Sequence, residues 1–279
     1  MSRTLGYLGP AGSNTEDAAI KHDATITRVP FDSINAVAKA VESSKVDEGI
    51  IPIENSLQGS VTDTVDMLIH DTLLSIRHEL VLPIRHFLMV KPGTRLQDLR
   101  VVFSHPQALA QCNIYLSESL TVARPVASLS TSASVQDMLN SSVPAGAIAT
   151  ERAAELYGAE IVNRSIQNDQ VNTTRFVVLA AGDHTPSGND KTSICFDFDA
   201  DSPGMLLSVL NEFGNRGINL TKIESRPTRT SLGRYVFLVD FEGHRLDSKV
   251  EETLDLVGSQ VSMFKIFGSY PMNVSSAVE

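Results

Sequence analysis

Apolar positions change period several times along this chain of 279 residues, and each change marks an element. After Ser33, the residues Ile34, Val37, Ala38 and Val41 fall on one face of a helix. Apolar runs at 3–9 and 49–53 read as strands, and Val61, Val65 and Leu68 carry a helix after Ser60. Residues 81–90 and 100–103 read as further strands. Helices are expected over 106–116, 134–139 and 151–157, the last closed by Gly158. The run 176–181 is apolar and β-prone, yet four polar residues, Asn172, Thr173, Thr174 and Arg175, stand at its mouth. Such alternation predicts an α/β domain with helices flanking the sheets. If 81–162 forms its own lobe and the chain then returns, a cleft lies between the lobes, a common ligand site.

Residues 183–191, DHTPSGNDK, have turn chemistry and read as a linker. Beyond them the pattern gives a strand at 192–198, then a helix opened by Pro203 and Gly204 that carries Leu206, Leu207, Val209, Leu210 and Phe213. A strand at 218–225, a turn at 227–233, a strand at 234–241, a helix at 248–256 and a strand at 261–269 complete the βαββαβ order of a ferredoxin-like fold. The expected division is a domain over 1–182, with lobes of about 1–80 plus 163–182 and 81–162, then the linker, then a domain over 192–279.

Composition narrows the function classes. The 42% hydrophobic content is ordinary for globular chains. No apolar run approaches the roughly 18 residues of a membrane span, and the first dozen residues lack a signal peptide's apolar core. Cys112 and Cys195 are too few for a disulfide framework or a metal cluster, which points to a reducing cytoplasm. A net charge of −10 argues against general nucleic-acid binding. An anionic small substrate would need donors assembled locally. Walker, G-x-S-x-G, H-E-x-x-H and dinucleotide fingerprints do not occur.

Three helix starts carry candidate chemistry. In GPAGSNTEDAA, Ser13 and Glu16 fit a capping box behind a glycine-containing loop, which serves either as a plain cap or as an anion site. In IPIENSLQGSVTD, Glu54, Asn55 and Ser56 follow a strand end, where they line a crevice or simply bond the local backbone. In FSHPQALAQC, Ser104 and Gln107 fit a second box, and Gln111 lies on the same face. His105 reads as a capping or packing histidine rather than a base or ligand.

GPAGSNTEDAA, PIENSLQGSV, SHPQALAQC and NTTRFVVL, in this order and spacing, resemble the prephenate dehydratase family. SPGMLLSVLNEFGNRGINLTKIESRP looks like the ACT regulatory domain that follows the catalytic domain there, so the resemblance spans nearly the whole chain. Two departures stand out: Gly12-Ser13-Asn14 replaces Gly-Thr-aromatic, and Gly204-Met205-Leu206 replaces Gly-Ala-Leu. The resemblance implies a two-lobed, periplasmic-binding-protein-like catalytic domain followed by a ferredoxin-like ACT domain. It implies conversion of prephenate into phenylpyruvate, carbon dioxide and water, with neither metal nor cofactor.

By match to the TRF motif, Thr174 is expected at the leaving hydroxyl, and Arg175 serves either as a carboxylate clamp or in an interlobe ion pair. The resemblance also implicates Glu54, Asn55, Ser104 and Gln111 in the site, with Thr173 and Phe176 beside the motif. Ser13 and Ser56 join Asn55 as expected carboxylate contacts from the helix-start argument. L-phenylalanine is the implied effector, on Gly204, Met205, Leu206, Asn219, Leu220, Glu224, Ser225, Arg226 and Pro227, in a homodimer or homotetramer. Arogenate as substrate, or a non-catalytic amino-acid sensor, remain competing readings.

Overall fold

Ser33 accepts from the Ala36 amide at 3.2 Å and so starts the helix that the 34–41 periodicity predicts. The computed structural model describes residues 3–199, 202–228 and 234–273. The chain divides into two compact units, 1–61 with 81–176, and 62–80 with 177–279. In chain order the elements are β1 (Thr4–Leu8), α1 (Asn14–His22), β2 (Thr27–Phe31), α2 (Ile34–Glu42), β3 (Glu48–Asn55), β4 (Gly59–Ser60), α3 (Thr62–His70) and β5 (Ser75–Pro83). Then come β6 (Phe87–Val90), β7 (Val101–Ser104), α4 (Pro106–Gln111), α5 (Asn113–Ser119), β8 (Arg124–Ala127), α6 (Thr131–Asn140), β9 (Ala145–Ala149), α7 (Glu151–Tyr157), β10 (Glu160–Asn163) and β11 (Thr173–Ala180).

The α/β alternation builds two sheets. One runs β2-β1-β3-β11-β5 with β4 on β3, and the other runs β10-β6-β9-β7-β8. The β1–β2 and β1–β3 pairs are parallel, so helices must cross over between them. Gly49 allows α2 to lie directly on β3, since a Cβ there would sit 2.6 Å from Val37 Cγ1. In the second sheet, Phe87, Met89, Ala147 and Ala149 face Val135 and Met138 of α6. Leu88, Val90, Val102 and Ile148 face Cys112 and Leu120.

Several boundaries differ from the sequence expectation. The run 81–90 is two strands, broken at 84–86 where the chain leaves one sheet for the other. The expected helix 106–116 breaks at Cys112 (φ −116°, ψ 14°), which is fully buried. The helix expected at 134–139 starts earlier, at Thr131, because Ser130 accepts from the Ala133 amide at 3.0 Å. Gly158 ends α7 in the left-handed conformation at φ 67°, as expected.

The second unit holds β12 (Asp190–Asp197), α8 (Met205–Asn215), β13 (Leu220–Pro227), β14 (Tyr235–Glu242), α9 (Ser248–Gln260) and β15 (Met263–Pro271). This is the ferredoxin-like βαββαβ order, on an antiparallel sheet β13-β14-β12-β15. Ile194, Phe196, Val239 and Phe241 pack against Val209 and Phe213 of α8 and Leu254 and Val257 of α9. The strand expected at 218–225 lies two residues later. Beyond Thr228 the expected turn 227–233 lies outside the described residues. The expected linker 183–191 falls within this unit, with Ser187 Oγ donating to Asp190 Oδ1 at 2.7 Å. The unit also contains α3 and most of β5, and Lys191 Nζ is 2.8 and 3.0 Å from the two carboxylate oxygens of buried Glu79. Among the described residues no helix is long and apolar enough to cross a membrane.

Candidate functional site

Asn55, the last residue of β3, turns the chain by accepting from the Leu57 amide at 3.0 Å through Oδ1. Its amide nitrogen then reaches β11, donating to Thr173 O and Thr174 Oγ1, both at 3.0 Å. The register between the two segments is set by Ser56, whose N–H donates to Thr173 O at 2.9 Å and whose Oγ accepts from Thr173 N at 3.0 Å. In the extended chain of β11, Thr174 and Phe176 share a face. Phe176 is sunk in the core, and Thr174, two residues earlier, opens on a cavity.

That cavity measures about 270 Å³, near the lower end for small-molecule sites. Asn14 from the start of α1, Asn55, Asn172 and Thr174 line one side. Gln107 and Gln111 of α4, with Leu129, Ser130 and Thr131 at the start of α6, line the other, and Ile84 and His86 close it where the chain passes between sheets. Both α1 and α6 begin here, and the positive end of a helix dipole favours anions, against which Glu16 and Asp17 stand in the first turn of α1. Among the described residues the lining includes amides and hydroxyls but no lysine or arginine. The cavity can therefore receive a carboxylate through hydrogen bonds, which matches the need for locally assembled donors in an acidic chain.

The amides are joined. Asn55 Nδ2 donates to Asn172 Oδ1 at 2.8 Å, and Asn172 Nδ2 donates to Gln111 Oε1 at 3.1 Å. His86 Nε2 lies 2.8 Å from the same Gln111 oxygen. Burial holds His86 below the usual imidazole range, against the opposing effect of its bond to Gln111.

Of the residues expected from sequence, Asn55, Gln111 and Thr174 come together at the cavity. Others do not line it. Ser104 is fully buried and donates to Ile148 O at 2.6 Å, a tie between β7 and β9. The cap of α4 is His105 instead, whose Nδ1 accepts from Gln107 N at 3.3 Å. Ser13 caps α1 by accepting from Glu16 N at 3.3 Å, while Glu16 Oε2 accepts from Gly12 N at 2.6 Å. Ser56 Oγ donates to Val171 O at 3.1 Å. Phe176 belongs to the core and Thr173 contributes its backbone. Arg175 and Glu54 pair at 3.6 Å across neighbouring strands of one sheet, rather than between lobes, and neither lines the cavity.

Asn172 and His86 were not singled out as site residues from sequence. The signal for His86 was the Arg85-His86 interruption of the apolar run 81–90, and for Asn172 the polar mouth of β11. Among the described residues no cluster of His, Cys, Asp and Glu could hold a metal.

In the second unit, Gly204 takes φ 90° as the cap of α8, with Met205 and Leu206 half-buried behind it. Asn219 Nδ2 donates to Glu242 Oε1 at 2.8 Å. On β13, Leu220, Glu224 and Arg226 are half-buried while Ser225 and Pro227 are exposed. Glu224 pairs with Lys222 at 3.3 Å, and Arg226 with Asp66 of α3 at 3.5 Å.

A family model for prephenate dehydratase matches residues 5–184, and one for the ACT domain matches residues 200–255. A bifunctional chorismate mutase/prephenate dehydratase of Aquifex aeolicus is 38% identical over 268 residues, covering 96% of this chain and 73% of the relative. An Arabidopsis thaliana chloroplastic arogenate dehydratase/prephenate dehydratase is 38% identical over 282 residues, covering 97% and 73%. A crystal structure of prephenate dehydratase from Arthrobacter aurescens in complex with L-Phe superposes with TM-score 0.90 at 32% identity, covering 99% of this chain and 92% of that one.

Proposed function

Because the chain belongs to the prephenate dehydratase family and is an enzyme of that type, we propose that its cavity converts prephenate into phenylpyruvate, carbon dioxide and water. The single observation that carries this reading is the Thr174 hydroxyl, fixed at the cavity by Asn55. An amide nitrogen has no lone pair to offer, so Thr174 Oγ1 can only accept from Asn55, whose two hydrogens are shared among three oxygens, and the hydroxyl keeps its own hydrogen to donate elsewhere.

In the reaction the bond from the ring to its carboxylate breaks and that electron pair enters the ring. The carbon–hydroxyl bond breaks on the opposite side, and the departing oxygen takes up a proton to leave as water. Aromatisation drives both. Thr174 is too weak an acid to supply the proton for good, so it serves by a hydrogen bond that strengthens as charge gathers on the leaving oxygen, with a water relay bringing the proton. In this reading the starts of α1 and α6, with Asn14, Gln107 and Gln111, hold the two carboxylates through hydrogen bonds. Arg175, held against Glu54, serves as a charge behind this wall rather than as a direct clamp.

The ACT match and the L-Phe complex of the Arthrobacter aurescens protein support feedback by L-phenylalanine at the second unit, around Gly204–Leu206 and Asn219–Pro227, between ACT domains of a homodimer or homotetramer. Inhibition then requires tighter binding to a less active arrangement. The matched ranges support a catalytic domain over 1–182 and an ACT domain over 192–279. Arogenate is the second reading, favoured by the similarity to the Arabidopsis arogenate dehydratase/prephenate dehydratase.

Purified protein incubated with prephenate and, separately, arogenate decides the substrate by the appearance of phenylpyruvate or phenylalanine. No product from either would remove the enzyme assignment. Thr174→Val should lower kcat by about 10²–10³ with the fold retained, the loss typical of one oxyanion-directed donor.

A further inference from the structure

His86 is 3% exposed, and its Nδ1 is buried with no hydrogen-bond partner among the described residues. A buried ring nitrogen left without a partner costs stability and so asks for an explanation. The backbone N–H of Leu57 fixes the polarity of the whole amide chain that ends at His86.

Leu57 N–H can only donate, so the Asn55 atom that receives it is oxygen and the other amide atom is nitrogen. The carbonyl of Thr173, which can only accept, faces that nitrogen and agrees. Asn55 Nδ2 therefore meets the oxygen of Asn172, which turns the nitrogen of Asn172 towards Gln111. Gln111 must then present its oxygen inward, and His86 Nε2, 2.8 Å from that oxygen, must carry a hydrogen. In a neutral ring the lone pair is then on Nδ1. Shifting the hydrogen to Nδ1 would turn a lone pair on the Gln111 oxygen. Relief would need Gln111, Asn172 and Asn55 to flip in turn, ending with the Asn55 oxygen against the Thr173 carbonyl.

We propose that His86 is a positioning residue: as the neutral Nε2–H tautomer it holds the Gln111 carbonyl inward and so leaves the Gln111 NH₂ group to the substrate carboxylate. Backbone bonds keep the ring in place, with His86 N donating to Gln167 Oε1 and His86 O accepting from Ile166 N, both at 3.0 Å. The orphaned Nδ1 follows from the same polarity. A hydrogen there would find no acceptor among the described residues, which agrees with the depressed basicity of the ring. The substrate half of this assignment rests on the prephenate dehydratase reading, whereas the tautomer does not.

Nitrogen NMR of ring-labelled histidine in the full chain tests the tautomer, with His86→Gln identifying the His86 signals. At neutral pH the His86 Nδ1 signal should be that of a bare ring nitrogen and Nε2 that of a protonated one; a hydrogen on Nδ1 would overturn the proposal. Kinetics test its consequence. His86→Leu should raise KM about tenfold with kcat little changed, the size of one hydrogen bond to a charged group. His86→Gln, which can return a donor to Gln111, should recover most of that loss, and His86→Leu combined with Gln111→Leu should be no worse than Gln111→Leu alone. Equal damage from the Gln and Leu variants, or additive losses in the double variant, would refute it. If His86→Leu does not fold, the NMR signal and the KM of His86→Gln decide. A wild-type protein that turns over neither prephenate nor arogenate would overturn the function reading while leaving the NMR result to judge the tautomer.

Discussion

Asp17 lies in the first turn of α1 next to Glu16, and burial, reinforced by the Glu16 charge, pushes its carboxyl up to about 6. The folded chain therefore holds this proton where the unfolded chain, with an ordinary value near 3.9, has released it. The associated stability is full below the unfolded value and is lost as pH rises through about 6. Asp17→Asn should then raise the melting temperature above that pH, by on the order of 1–2 kcal/mol of stability, and change little in acid. Melting curves across pH check it, and an unchanged Tm on the alkaline side would contradict it. At this scale Thr174, Asn55 and Gln111 were legible because the motifs carry them. Motif membership does not say which way a side chain faces, however. Ser104 and Phe176 stand in the same motifs and point into the core. His86 was hidden because a lone polar residue in an apolar run has no pattern of its own.

Gly268 in β15 shows what element-level packing demands. Between Ile266 and Gly268 the pairing with β12 slips by one residue, a bulge, and Gly268 takes φ 148°. A Cβ there would lie 2.3 Å from Ile76 O and 2.8 Å from Ile76 N of β5, both backbone atoms that cannot swing aside. Gly268→Ala should destabilise by about 2–4 kcal/mol, the sum of strain and overpacking. Thermal melts report it, and a variant as stable as the parent would show that β5 yields. Element types were largely readable, since α2, α7 and the βαββαβ series follow strong local periods and caps. The break at 84–86 was not. Ile84 is itself apolar and buried, so the run looks continuous although the backbone changes sheets there. Likewise Cys112 keeps helical periodicity while its backbone leaves the helix.

For the molecule as a whole, the proposed reaction asks a chain of charge −10 to receive a dianion in a cavity that, among the described residues, no lysine or arginine lines. Long-range repulsion opposes encounter, and salt screens it over a Debye length of about 8 Å at physiological strength. The kcat/KM for prephenate should therefore rise as ionic strength is raised from low values; a steady fall would mean that an unseen cationic path steers the substrate. The succession of elements was legible at this scale, but the insertion of β11 between β3 and β5 was not, because pairing across more than a hundred residues leaves no local trace. That insertion is what brings Asn55 and Asn172 together. Building an anion site from Asn14, Asn55, Gln107, Gln111 and Asn172 has a further consequence, because side-chain amides are among the least heat-durable groups in proteins. Hydrolysis of Asn55 would put a carboxylate where Asn172 and Thr174 require a donor. Kept warm below its melting point, the enzyme should lose activity while its circular dichroism holds steady, with mass spectrometry finding the change at Asn55 or Asn172. The catalyst would age chemically before the fold does.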